Sequence, residues 1–212
     1  MDTKATETFR NVPRATSYRE AGDSELVIAA LLADCDAFEE LIRRYRGAVT
    51  VTAQGVLGNW AVAEEVAQDV FVIAFQTLPS LDEPANFGAW IRAIARFRAL
   101  RVRDREKRTE ATESEPLEAL MNASHAPACG DSPEATLDRA ATRTVVWDAL
   151  DRLTVEHREA LYLHYCEEWP LERIAEFLCV PMTTVKGRLF RARDAFRRTV
   201  CDEEIFSGMM KG

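Results

Sequence analysis

Thr183, Thr184, Lys186, Gly187, Arg188, Phe190 and Arg191 fall within one short stretch, and their side chains are of the kinds that recognise nucleic acid. Arginine can donate two hydrogen bonds to a guanine edge, an apolar ring can touch a thymine methyl, and lysine can hold a phosphate without reading sequence. Their spacing gives these chemistries a common side. At ~100° per residue, Val185, Leu189, Ala192 and Phe196 share one helix face. Thr183, Gly187, Phe190, Arg191 and Asp194 take the other, with Lys186 and Arg188 on the flanks. Gly187 weakens a helix by roughly 0.5–1 kcal/mol relative to alanine, yet opposite the core it permits close approach to a groove. A solvated basic face would account for the charges but not for an outward Phe190.

Two further constellations carry charge of opposite sign. Between residues 87 and 108, Arg92, Arg96, Arg103 and Lys107 form one basic stripe and Arg98, Arg101, Arg105 and Arg108 a second. Phe87, Trp90, Ile91, Ile94 and Phe97 are expected on the apolar side. Like charges this dense repel one another unless an anionic surface relieves them. The preceding stretch, Pro79 to Phe87, can form a loop that receives an unpaired base, with Asn86 as polar group and Phe87 as stacking group. By contrast, residues 60–78 contain no Lys or Arg. There Ala63, Val66, Ala67, Val70, Phe71 and Ala74 are expected to be buried, leaving Glu65, Gln68 and Asp69 outward. Two acids one turn apart without a base in the helix point to a basic protein partner.

Positioning these groups requires helices. Apolar residues recur at three and four spacings through Leu26–Leu32, Phe38–Leu57, Val62–Leu78 and Phe87–Val102, which predicts four helices. A second set follows: one opened by Ser132-Pro133-Glu134, one from Thr154, one with Pro170 in its first turn, and one from about Thr183 to Val200. The last two, separated by Cys179-Val180-Pro181, match a helix-turn-helix. Its expected shared core is Ile174, Leu178, Val180, Val185 and Leu189, with small Ala175 letting the helices approach. The acidic, proline-containing stretch 109–131 reads as a linker. The expected plan is all-α: a loose arm over 1–22, a domain over 23–108, the linker, a domain over 132–201, and a tail over 202–212.

With 212 residues, 47% of them apolar, the chain can bury real cores. Its net charge of −8 would argue against a nucleic-acid partner, but the sum hides segregation. Residues 101–108 carry five bases against two acids, whereas 109–137 carry six acids and no base. No apolar run suits a membrane span or signal peptide, so a cytoplasmic location without membrane insertion is expected. Cys35, Cys129, Cys166, Cys179 and Cys201 are scattered without a CxxC pair, and His125, His157 and His164 join no acid–base or nucleophile constellation. Neither an enzyme, a metal site nor a cofactor is expected.

In this order, DAFEELIRRYR, AEEVAQDVFVIAF, NFGAWIRAIARFRAL and ERIAEFLCVPMTTVKGRLFRAR resemble the regions of a sigma-70 family sigma factor of the extracytoplasmic-function type. The resemblance implies that 23–108 is region 2 and 132–201 is region 4. Glu65, Gln68, Asp69 and Phe71 would then dock on the beta-prime clamp helices of core RNA polymerase, and region 4 on its beta flap. Asn86, Phe87, Arg92, Arg96, Arg98 and Arg103 would engage the minus-ten promoter element, and the stretch around Arg191 the minus-thirty-five element. An anti-sigma factor is a further partner common in that family. Several positions depart from its pattern: Val62, Phe97, Arg101, Pro170, Cys179 and Thr183 stand where an acid, Asn, Asp, Ser and two glycines are frequent. A stand-alone helix-turn-helix regulator, whose first domain senses a ligand or partner, is the alternative reading.

Overall fold

The computed structural model describes residues 18–112, 149–150 and 152–202, and no strand occurs among them. Four helices form the first layer of packing: α1 (Asp23–Leu31), α2 (Cys35–Leu57), α3 (Trp60–Thr77) and α4 (Phe87–Thr112). Local chemistry sets their ends. The Asp34 carboxylate accepts from the Ala37 N–H at 3.1 Å to start α2, and Asn59 accepts from Val62 at 3.3 Å to start α3. Gly58, at φ 70°, ends α2 in the left-handed conformation that glycine adopts without a Cβ penalty. Two 3-10 turns, Leu78–Ser80 and Pro84–Asn86, carry the chain from α3 to α4.

Leu26, Leu41, Val49, Val70, Phe87 and Ile91 fill the core of this bundle. A polar clamp fastens α1 to α2. Glu40 accepts from Arg43 and Arg44 at 2.6–2.7 Å, while Arg44 also reaches Asp23 and the Ala21 carbonyl, each at 2.8 Å. The Arg43 hydrogen bonds, seconded by those of Arg44, hold the Glu40 carboxyl down at about 2. Residues 18–22, expected as part of a loose arm, are folded onto the bundle. Tyr18 is buried, donates its hydroxyl to Asp34 at 2.6 Å, and opens a turn that Arg44 also grips through the Tyr18 carbonyl. Residues 1–17 lie outside the described ones, as do the expected linker beyond Thr112, the helix expected to open at Ser132, and the tail from 203.

Three helices follow: α5 (Val155–Tyr165), α6 (Leu171–Leu178) and α7 (Met182–Asp202). Pro170 is the residue before α6, with extended backbone, and not a first-turn residue as expected. Ile174, Leu178, Val185 and Leu189 are buried between α6 and α7, with Val180 partly buried beside them. This unit packs directly on α1–α4. Tyr45 of α2 lies edge-on to Phe87 and to Trp169, at 5.2 and 5.4 Å, and its hydroxyl donates to Asp23 at 2.6 Å. Burial, reinforced by the Asp23 charge, raises the Tyr45 phenol above its ordinary range. A deeper polar contact joins α5 to the bundle. Glu159, 3% exposed, accepts from Thr52 at 2.8 Å and from Arg92 at 3.0 and 3.2 Å, while Arg158 donates to Gln54 at 2.7 Å.

Candidate nucleic-acid interface

On α7 the buried face is Val185, Leu189 and Ala192, with Phe196 half-buried. Opposite it, Phe190 is 74% exposed, and Thr183, Lys186 and Arg191 are exposed around it. Thr184, Gly187 and Arg188 are half-buried at the edges. A Cβ added at Gly187 would meet nothing nearer than the Arg191 guanidinium at 3.5 Å, so no packing demand of the chain itself calls for glycine there. Asp194 pairs with Arg198 one turn on, which leaves Arg191 to face outward without it. The turn before α7 depends on Cys179 in the left-handed region, at φ 54° and ψ 44°. Thr183, the second departure from glycine, sits inside the helix and meets no such demand.

The α4 surface differs from expectation at four aromatic or charged positions. Phe87 is 0% exposed and cannot stack on a base from inside the core. Its large ring closes the bundle beneath the 3-10 turn, whereas Asn86 is exposed at the turn itself. Phe97 is not on the apolar side: it is 56% exposed, with the Arg101 guanidinium 4.3 Å from its ring centre. The true core face is Phe87, Ile91, Ala95 and Ala99, where small residues let α4 cross close to its neighbours. Arg92 is turned inward to Glu159, and Arg98 donates to Asp69 at 2.6 Å. Arg96 is exposed, and Arg103 lies 3.2 Å from Asp104 at the surface.

On α3, Glu65 and Gln68 are exposed as expected, but Asp69 has a cationic partner after all, supplied by α4. That pair is well exposed and therefore weakly held. Phe71 is 6% exposed and forms part of the core, so its contribution to a surface is as the floor of a groove. This groove of about 500 Å³ runs between α2 and α3 and is walled by Phe38, Ile42, Val72 and Phe75. Val72 and Phe75 are 57% and 50% exposed, and sequence reasoning passed over both. Their signal was two large apolar residues one helical turn along from the acidic pair.

These surfaces sit on a known pair of sequence families. Residues 41–109 match the model of Sigma-70 region 2, and residues 143–196 that of Sigma-70 region 4. The chain is 30% identical over 182 residues to the ECF RNA polymerase sigma factor SigM of Mycobacterium tuberculosis, covering 84% of this chain and 85% of the relative. It is 29% identical over 172 residues to the ECF sigma factor SigW of Bacillus subtilis, covering 80% and 91%. The fold resembles CnrH in its complex with the cytosolic domain of CnrY, at TM-score 0.56 and 20% identity over 85% of this chain and 98% of that one. It also resembles the sigma factor RpoE bound to the anti-sigma factor NepR from Bartonella quintana, at TM-score 0.52 and 21% identity over 78% and 98%. A helix-turn-helix with an open basic face, joined to a bundle with a basic helix and an acidic helix, defines the class. The chain belongs to the sigma-70 family of RNA polymerase sigma factors, extracytoplasmic-function type. It is a transcription initiation factor whose partners are core RNA polymerase and promoter DNA.

Proposed function

We propose that α7 reads the minus-thirty-five element through Phe190 and Arg191, that the exposed side of α4 meets the minus-ten element, and that α3 docks on the polymerase. The observation that carries this reading is Phe190, 74% exposed between Lys186 and Arg191 and opposite a buried helix face. A first domain from residue 23 through α4, which runs on to Thr112 and so past the expected linker start at 109, and a second over 132–201, joined by the acidic stretch between them, separate the two DNA-reading tasks. Glu65, Gln68 and Asp69, with the groove floored by Phe71, meet the beta-prime clamp helices; the second domain meets the beta flap. Asn86, Arg96 and Arg103 contact the opened strand, joined by Arg92 and Arg98 once their carboxylate partners release them. The factor supplies recognition and strand opening while the polymerase performs the chemistry, so it is not an enzyme and works in the cytoplasm. No helix among the described residues is long and apolar enough to cross a membrane. An anti-sigma factor is a proposed regulator, since two proteins of the same fold were solved with CnrY and NepR.

The test uses holoenzyme and a library randomised across the upstream element. Arg191→Ala relaxes preference at one position and costs roughly 1–3 kcal/mol of discrimination, as for one lost bidentate base contact. Lys186→Ala weakens all sequences alike and makes the salt dependence shallower. Equal, sequence-blind losses in both variants would overturn the reading face. Tight operator binding by the chain alone, with no affinity for core polymerase, would favour the stand-alone regulator instead.

A further inference from the structure

Val72 and Phe75 of α3 are 57% and 50% exposed, and they border the groove between α2 and α3 together with Phe38 and Ile42. Phe38 and Phe75 meet edge to face there, with 5.0 Å between ring centres. Large apolar side chains gathered in one open groove mark a surface that something covers. On the docking reading of α3, core polymerase covers it only in the holoenzyme. The free chain is left with an open apolar groove.

The chain enters the bundle beside this groove. Tyr18 is fixed at the N-terminal end of α2, where its hydroxyl donates to Asp34 at 2.6 Å and Arg44 donates to its carbonyl at 2.8 Å. Asp34 lies four residues before Phe38, about 6 Å along the helix axis. Val12 precedes Tyr18 by six residues and Phe9 by nine, so they can lie up to ~20 and ~30 Å from that anchor. A helix is only ~10–12 Å wide, so both can cross the end of α2 to the groove. Charge agrees with reach. Residues 8–17, TFRNVPRATS, hold Phe9 and Val12 beside Arg10 and Arg14 and contain no acid. The α3 side of the groove carries Glu64, with exposed Glu65 next to it, and α3 contains no Lys or Arg. The one base lining the groove, Arg46, belongs to α2.

We propose that residues 8–17 fill the α2–α3 groove of the free chain, Phe9 and Val12 lying on Val72 and Phe75, and so withhold the groove from core polymerase. The withholding rests on the docking reading of α3; the occupancy does not. A short tether holds the segment at an effective concentration on the order of 1 mM, so a contact too weak to last between separate molecules still fills the groove. A second copy of the chain fits less well. A stable dimer buries roughly 1,200 Å² or more, whereas this groove offers Val72 and Phe75 as its exposed large apolar side chains.

The experiment puts the photocrosslinking residue p-benzoylphenylalanine in place of Phe9 in the full chain and maps the adducts by mass spectrometry after irradiation. Adducts within one chain at Phe38, Val72 or Phe75 are expected, and saturating core polymerase should suppress them. Val72→Asp should abolish them too, at a position exposed enough to leave the core in place. Adducts between two chains, adducts confined to other surfaces, or none at all overturn the occupancy. Groove adducts that saturating polymerase leaves untouched overturn the withholding. In a second measurement, Phe9→Asp combined with Val12→Asp should tighten binding to core polymerase about 10-fold, as for a segment that fills the groove in about 90% of free molecules. Thr3→Asp combined with Thr6→Asp adds the same charge and should leave the affinity as it was. No gain in the first variant, or an equal gain in both, overturns the withholding. If the wild-type chain does not bind core polymerase, the initiation-factor reading fails separately, and the crosslinks still decide the occupancy.

Discussion

Cys179 ends α6 in a conformation that costs a residue bearing a Cβ roughly 1–2 kcal/mol, and its side chain is exposed, so it recovers none of that by packing. Cys179→Gly should raise thermal stability by about 1 kcal/mol, or a few degrees in Tm, after the extra freedom glycine gives the unfolded chain is set against the relief. Unchanged or lower Tm by calorimetry would mean that the turn is not strained. Gly187 calls for the opposite experiment. Gly187→Ala should stabilise α7 by roughly 0.5–1 kcal/mol while weakening holoenzyme binding to promoter DNA, since the added methyl meets no protein obstacle and so projects toward the groove. Improved stability with full promoter affinity would remove close approach as the reason for glycine there. At this scale the sequence was legible where backbone geometry dictates residue type, as at Cys179. It was less so where apolar character alone had to choose a face. Phe97 is apolar yet outward, because α4 buries Ala95 and Ala99 in its place, and small residues give a weak signal for a close crossing.

Helix extents follow from periodicity and caps, and α2, α3 and α4 start within a few residues of their expected positions. The polar clamp between α1 and α2 was not legible, because Asp23 and Arg44 are far apart in sequence and only the folded bundle brings them to 2.8 Å. Its centre, Glu40, has a carboxyl held near 2 instead of 4.5, chiefly by the Arg43 hydrogen bonds. A depressed carboxyl stabilises the fold in full above the unfolded value of 4.5, and that stability fades as pH falls toward 2. Glu40→Gln should therefore cost about 2 kcal/mol near neutrality, the range for hydrogen bonds to a charged group. It should also flatten the pH dependence of unfolding between those two values. Denaturant titrations across that window are the check; a variant with the wild-type slope would show that Glu40 does not set it.

Across the whole molecule, the contact between the two helical units competes with the work proposed for each. On the proposed reading the first unit meets the minus-ten element and the second the minus-thirty-five element, two separate stretches of one duplex, whereas in the structure the two units pack on each other. Engaging both at once is then expected to require the two units to separate, which would also free Arg92 from Glu159. Nothing in the sequence marked this junction, since Thr52, Gln54, Arg158 and Glu159 read locally as polar interruptions on two unconnected helices. The Arg92–Glu159 pair is mostly buried, with side chains 14% and 4% exposed, so removing one partner leaves an uncompensated charge and should cost roughly 3–5 kcal/mol of docking. Glu159→Ala should thus open the molecule, seen as a larger radius of gyration in solution scattering. It should also tighten binding to core polymerase, because less free energy is spent on opening. Gly55→Ala tests the same closure without touching charge. A Cβ there would lie 2.5 Å from the Val155 Cγ1 atom across the junction, while alanine improves the helix that carries it. If both variants stay as compact as wild type, the junction is not held by these contacts. If both expand and neither gains affinity for polymerase, closure does not limit loading.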